Sequence, residues 1–98
     1  MLTPLMQQVC TVLEAQLRPK LQGYIETEYQ KRSAGKLPAP ARTADLIVRS
    51  FQAMRVALEE AYDARLDASE SQRFALVVVR QALKAELDQE FPVLIVVP

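Results

Sequence analysis

The chain has 98 residues, twelve basic and twelve acidic side chains, and half of its residues apolar, so it is one small domain without bulk attraction for nucleic acid or anionic membrane. It contains no histidine, which removes histidine metal sites, the Ser-His-Asp triad and the Cys-His pair. Two glycines and one cysteine speak against a turn-rich β-sandwich and exclude an internal disulfide.

Thr3-Pro4 reads as a helix start, with a threonine N-cap and proline at the first helical position. Leu2, Leu5, Met6, Val9, Val12 and Leu13 then share one face. Past Pro19 the apolar face becomes Leu17, Leu21, Tyr24 and Ile25, with Tyr29 at its edge, turned by about a right angle at 100° per residue. An interior proline removes a backbone hydrogen bond and crowds the preceding turn. The pattern predicts a helix kinked at Pro19, or two short helices, over residues 3–32, softened at Gly23. Cys10 lies among apolar residues and is expected in the core, as a buried thiol in a reduced, cytoplasmic setting. No basic leader precedes a long apolar run, and no apolar run approaches the length of a membrane span, so neither a signal peptide nor a spanning helix is expected.

Residues 33–42 carry the composition of a loop, stiffened by Pro38 and Pro40, with Leu37 expected to dock. Thr43 is predicted to cap the next helix, with Asp45 in its first turn. Ile47, Phe51, Met54, Leu58, Ala61 and Tyr62 fall within about 60° of a common line, which describes an amphipathic helix. Arg49, Glu59, Glu60 and Asp63 take the far side, and Val56 is exposed among them. A break over 63–72 rests on polarity and on two overlapping capping boxes, Asp67…Glu70 and Ser69…Gln72. The lesser alternative, one helix from 43 to 90, would be about 70 Å long.

The third helix, over 70–90, is the most apolar. Leu76, Leu83 and Leu87 fall in one line flanked by Ala75 and Val79, while Phe74, Val78, Ala82 and Ala85 lie opposite. The polar stripe of Arg73, Arg80 and Lys84 is narrow. The valine triplet leans towards strand, but the helix formers of Gln81–Leu87 decide for helix, and Pro92 stops it. A helix apolar nearly all round is normally buried on most of its surface, so neighbours are expected on both sides, from this chain or a second one. The run Val93, Leu94, Ile95, Val96, Val97 is β-type. It is expected to lie across the bundle as a strap, or else to pair with a second subunit or another protein.

Two chemical patterns have spacing worth weighing. Glu59, Glu60 and Asp63 on one helix, with Glu86 and Glu90 on the next, could serve an all-α magnesium-dependent nucleotide pyrophosphohydrolase, with oxygen ligands suited to Mg²⁺. A solvated face is the stronger reading, because the first three sit opposite the core stripe. Lys31, Arg32, Lys36 and Arg42 cluster about the first loop, yet no aromatics interleave with them, and nucleic-acid association stays a third reading.

The sequence therefore predicts an all-α, three-helix bundle, its first helix kinked, with an apolar extended C-terminal segment and a homodimeric state. The function expected is that of a non-enzymatic interaction module: an adaptor, assembly factor or inhibitor. Phe74, Val77, Val78, Ala82 and Val93–Val97 would form its contact surface with a second copy or another protein, with no catalytic, cofactor or metal residue.

Overall fold

In the computed structural model, residues 4–62 and 68–92 are described, and they form three helices: α1 Pro4–Arg32, α2 Pro40–Tyr62 and α3 Ala68–Glu90. The all-α expectation holds, and among the described residues there is no strand. Val93, Leu94, Ile95, Val96 and Val97 lie outside the described residues, as do Asp63 and Asp67. The predicted strap and the first capping box fall there.

Helix α1 is one helix of 29 residues with Pro19 inside it, so the reading of two short helices is not met. Its buried residues are Met6, Cys10, Leu13, Leu17, Leu21 and Ile25. These recur at i+3 and i+4 through the proline and make a single stripe. The broader face predicted for the first half is corrected here, since Leu5 is 63% and Val12 56% exposed. The reason is angular. At 100° per residue those two lie about a third of a turn from the Met6–Leu17 stripe, more than one packing face can cover.

The end of α1 departs from habit. The Gly35 N–H donates to the Gln30 carbonyl at 2.8 Å, the 6→1 bond of a Schellman turn. Its left-handed position is Ala34, with φ of 58°, and Gly35 follows at φ of 91°. An alanine thus stands where glycine is normally preferred.

Helix α2 begins three residues before the predicted start. The Arg42 and Thr43 N–H groups bond to the Ala39 carbonyl at 2.9 and 3.1 Å, which makes Ala39 the N-cap and Pro40 the first helical residue. Pro40 has no N–H to leave orphaned there, and its fixed φ suits the helix, so it starts α2 rather than stiffening a loop. Thr43 is consequently a full turn inside, and the loop runs only over 33–39. Leu37 does not dock and is 61% exposed.

Helices α2 and α3 pack side by side and antiparallel. Arg42 at the start of α2 meets Glu90 at the end of α3, and Arg49 meets Glu86 one to two turns further in. A single rod over 43–90 is therefore not formed. Leu46, Ile47, Phe51, Met54 and Leu58 of α2 face Ala75, Val79, Leu83 and Leu87 of α3, all of them buried, and α1 lays its stripe across this hairpin. Each fully buried leucine contributes roughly 1.5–3 kcal/mol of transfer free energy. The buried Ser50 hydroxyl is satisfied by the Ile47 carbonyl at 2.8 Å. The α3 stripe runs at strict i+4 spacing from Ala75 to Leu87. Leu76 sits at the core's edge rather than its centre. Within the single chain α3 keeps one side open, with Phe74 38% and Val77 51% exposed.

The longest dimension, 49 Å, reflects α1, about 43 Å long at 1.5 Å per residue. The radius of gyration is 15.2 Å, against about 13 Å for an ordinary domain of this size. An elongated shape follows from a helix longer than the hairpin that covers it.

Candidate binding surface

The two ends of the bundle differ in chemistry. At one end the carboxyl ends of α1 and α3 meet the amino end of α2 in a polar clasp. The Tyr29 hydroxyl donates to Glu90 at 2.8 Å, and Arg42 Nε donates to the other Glu90 oxygen at 3.0 Å. Arg42 also reaches Asp45 at 3.1 Å, Asp45 holds Arg49 at 3.1 Å, and Arg49 reaches Glu86 at 3.3 Å. Arg32 bonds to Asp88 at 2.5 Å, and the Tyr29 and Phe91 rings meet edge to face at 4.8 Å. The bond to Glu90 pushes the Tyr29 hydroxyl above the ordinary tyrosine value, with desolvation adding to it.

Halfway along, Arg55 Nε donates to Glu14 at 2.6 Å, tying α2 to α1. Beside it, burial pushes the Cys10 thiol up, with Arg55 pulling the other way. The side chain is 0% exposed, which makes it an inert core residue. Arg18 lies over the Phe51 ring, 5.4 Å from its centroid.

At the opposite end is an apolar groove of about 530 Å³. Leu5, Val9 and Val12 of α1 form one wall, with Met6 and Leu13 beneath. Leu58 and Ala61 of α2 and Ser71 and Gln72 of α3 form the other side, while Gln8 and Gln16 edge the α1 wall. No carboxylate, amine, guanidinium or thiol is among these lining residues. The ties between α1 and α3 just named all belong to the clasp. On the α3 side the described lining residues are the polar Ser71 and Gln72, against the apolar wall of α1.

The predicted contact residues are placed as follows. Phe74 and Val77 are exposed on α3, Val78 and Ala82 are half-buried, and none of the four lines the groove. Of the carboxylates read as possible magnesium ligands, Asp63 lies outside the described residues, and Glu60 and Glu86 line one shallow pocket beside Arg49. Glu86 and Glu90 are taken up by Arg49, Arg42 and Tyr29. Among the described residues no three acidic or cysteine side chains could hold a metal ion together. Of the basic cluster about the loop, Lys31 pairs with Glu28, Arg32 with Glu28 and Asp88, and Arg42 with Asp45 and Glu90. That pairing cancels much of the field a phosphate backbone would need. Val56 is 57% exposed as expected, and Val48 joins it at 51%.

The groove was missed at the sequence level, although a signal for it exists. Leu2, Leu5, Val9, Val12 and Gln16 recur at intervals of three and four residues, beside Met6, Cys10, Leu13 and Leu17, which do the same. Two adjacent heptad seams on one helix imply a neighbour for each, and among the described residues the α2–α3 hairpin covers the Met6–Leu17 seam while Leu5 and Val12 stay exposed. Among the described residues no helix is long and apolar enough to cross a membrane. Compared with known families, curated proteins and solved structures, the chain matches no family model, no curated protein and no solved structure.

Proposed function

We propose that the protein is a small, non-enzymatic interaction module that binds a helical segment of a protein in the groove between α1, α2 and α3. The observation that carries this reading is the exposure of Leu5 and Val12 on the wall of an uncharged, apolar groove. Isolated exposed apolar residues are ordinary, whereas a contiguous apolar concavity with a polar rim marks a binding site. The i, i+4, i+7 spacing of Leu5, Val9 and Val12 suits the side chains of another helix. The outward residues of α3, Phe74, Val77, Val78 and Ala82, together with the Val93–Val97 run, offer a second apolar contact surface in the same reading. Pro19, by removing one hydrogen bond from α1, lets its amino half bend towards or away from the hairpin. An adaptor or assembly factor working in the cytoplasm fits such a surface.

The test uses a fluorescein-labelled amphipathic peptide with a leucine heptad and the full chain, diluted until it runs as a single copy. The expected result is a rise in anisotropy on titration with the wild-type protein and none with Val12→Glu. Equal responses from the two proteins would reject the groove as the working surface.

A further inference from the structure

The geometry points to a specific occupant of the groove: helix α1 of a second copy of this chain, so that two molecules pair through their Leu5–Val9–Val12–Gln16 seams. This deepens the proposed reading by naming the partner.

Three observations select that occupant. The first is periodicity. The seam keeps the three-and-four spacing at which helices wind about one another with knobs in holes, and a strand or a loop would not match it. The second is charge. An interface on a two-fold axis sets each patch against itself, so a patch dominated by one sign would repel its own copy. Among the described residues the walls are apolar, and the polar lining is Gln8, Gln16 and Gln72 with the buried Ser71, neutral groups that both donate and accept hydrogen bonds. The surface is therefore complementary to itself.

The third is reach within one chain. The aliphatic run Val93–Val97 is another apolar stretch of this chain. It follows Phe91, whose ring is packed against Tyr29 at the clasp. Six residues span at most about 20 Å when fully extended, while Val12 stands seventeen residues back from Tyr29 along α1, about 26 Å, and Leu5 about 36 Å. An extended run of that length starting at Phe91 falls short of Leu5, which a helix of a second molecule can reach.

Sedimentation velocity on the full chain across a wide dilution series tests the pairing. The expected result is a monomer–dimer equilibrium in the wild type. Leu5→Glu and Val12→Glu should each weaken it by about tenfold or more, the effect of one well-placed contact. Both positions are exposed, so circular dichroism should stay unchanged, as should melting at dilutions where the wild type is monomeric, and Val12→Gln provides a milder change of the same kind. Val48→Glu, an equal charge change at an exposed valine of α2, should leave the dimer intact. A wild type that stays monomeric at every concentration overturns the pairing, as does a Val12→Glu protein that dimerises as tightly as wild type, or a Val48→Glu protein that dissociates as far as Val12→Glu. A monomer that still binds the labelled heptad peptide would end the self-pairing and leave the wider proposal standing. A monomer that binds neither ends both.

Discussion

Tyr29 and Glu90, 61 residues apart in sequence, meet through a 2.8 Å hydrogen bond in which the tyrosine hydroxyl donates. With Arg42 on the other carboxylate oxygen, one glutamate joins the three helices at a single point. Bundles of this size have little core to spare, and a polar clasp of this kind sets the helix register rather than supplying much stability, because exposed ion pairs are worth little each.

The clasp gives a pH dependence with a definite sign. The hydrogen bond to Glu90 raises the folded-state value of Tyr29 above its unfolded value, so the folded chain holds that proton more tightly. The contribution is fully present below the ordinary tyrosine value of about 10. It is lost as pH rises through the raised folded value. Absorbance titration of the phenolates should show a late-ionising component from Tyr29, and Tyr29→Phe should remove it. A late component surviving in Tyr29→Phe would contradict the assignment.

Pro19 and Pro40 should respond to alanine with opposite signs. Pro19 lies in the interior of α1, where its missing N–H costs a bond to the Ala15 carbonyl. Pro19→Ala should stabilise by about 1–3 kcal/mol in urea unfolding. Pro40 opens α2, where its φ is already helical, and Pro40→Ala should destabilise by about 0.4–1 kcal/mol through the unfolded chain. Both changes moving stability the same way would count against the two assignments.

Ala34 and Gly23 form a second contrasting pair. Ala34 holds the left-handed position of the Schellman turn at φ of 58°, and Ala34→Gly should stabilise by about 1 kcal/mol. Gly23 sits inside α1 with nothing within 4 Å of where a Cβ would stand, so Gly23→Ala should stabilise by about 0.5–1 kcal/mol. In a domain of this size each should raise the melting temperature by several degrees, at roughly 4–8 °C per kcal/mol. A lowered melting point for Ala34→Gly would mean that the turn geometry is misassigned.

Core and surface should separate cleanly along α3. Leu83 is 0% exposed, and Leu83→Ala should cost about 2–5 kcal/mol. Val77 is half in solvent, and Val77→Ala in the monomer should fall within about 0.5 kcal/mol of wild type. Denaturant midpoints at matched slopes would check both.

Cys10 should be silent towards a thiol reagent in the native protein and react fully once denatured. Its side chain is 0% exposed, and burial disfavours the thiolate. Rapid modification under native conditions would show that the amino half of α1 opens readily from the hairpin, which the groove beside it makes the first place to look.

Three helices, the stop before Pro92 and the core character of Phe51, Met54, Leu58, Leu83 and Leu87 were determined by the sequence alone. Each follows from local periodicity, and periodicity is a property of neighbours along the chain. Which apolar residues are left over was decided only by the tertiary structure. Leu5 and Val12 carry the same pattern as Met6 and Leu13, and a residue cannot reveal in one dimension whether a partner helix lies over it. The carboxylates make the same point. Glu86 and Glu90 read in the sequence as possible magnesium ligands, and antiparallel packing sets Arg49 and Arg42 against them. Pairing across 37 and 48 residues depends on how helices dock, and no local spacing encodes that.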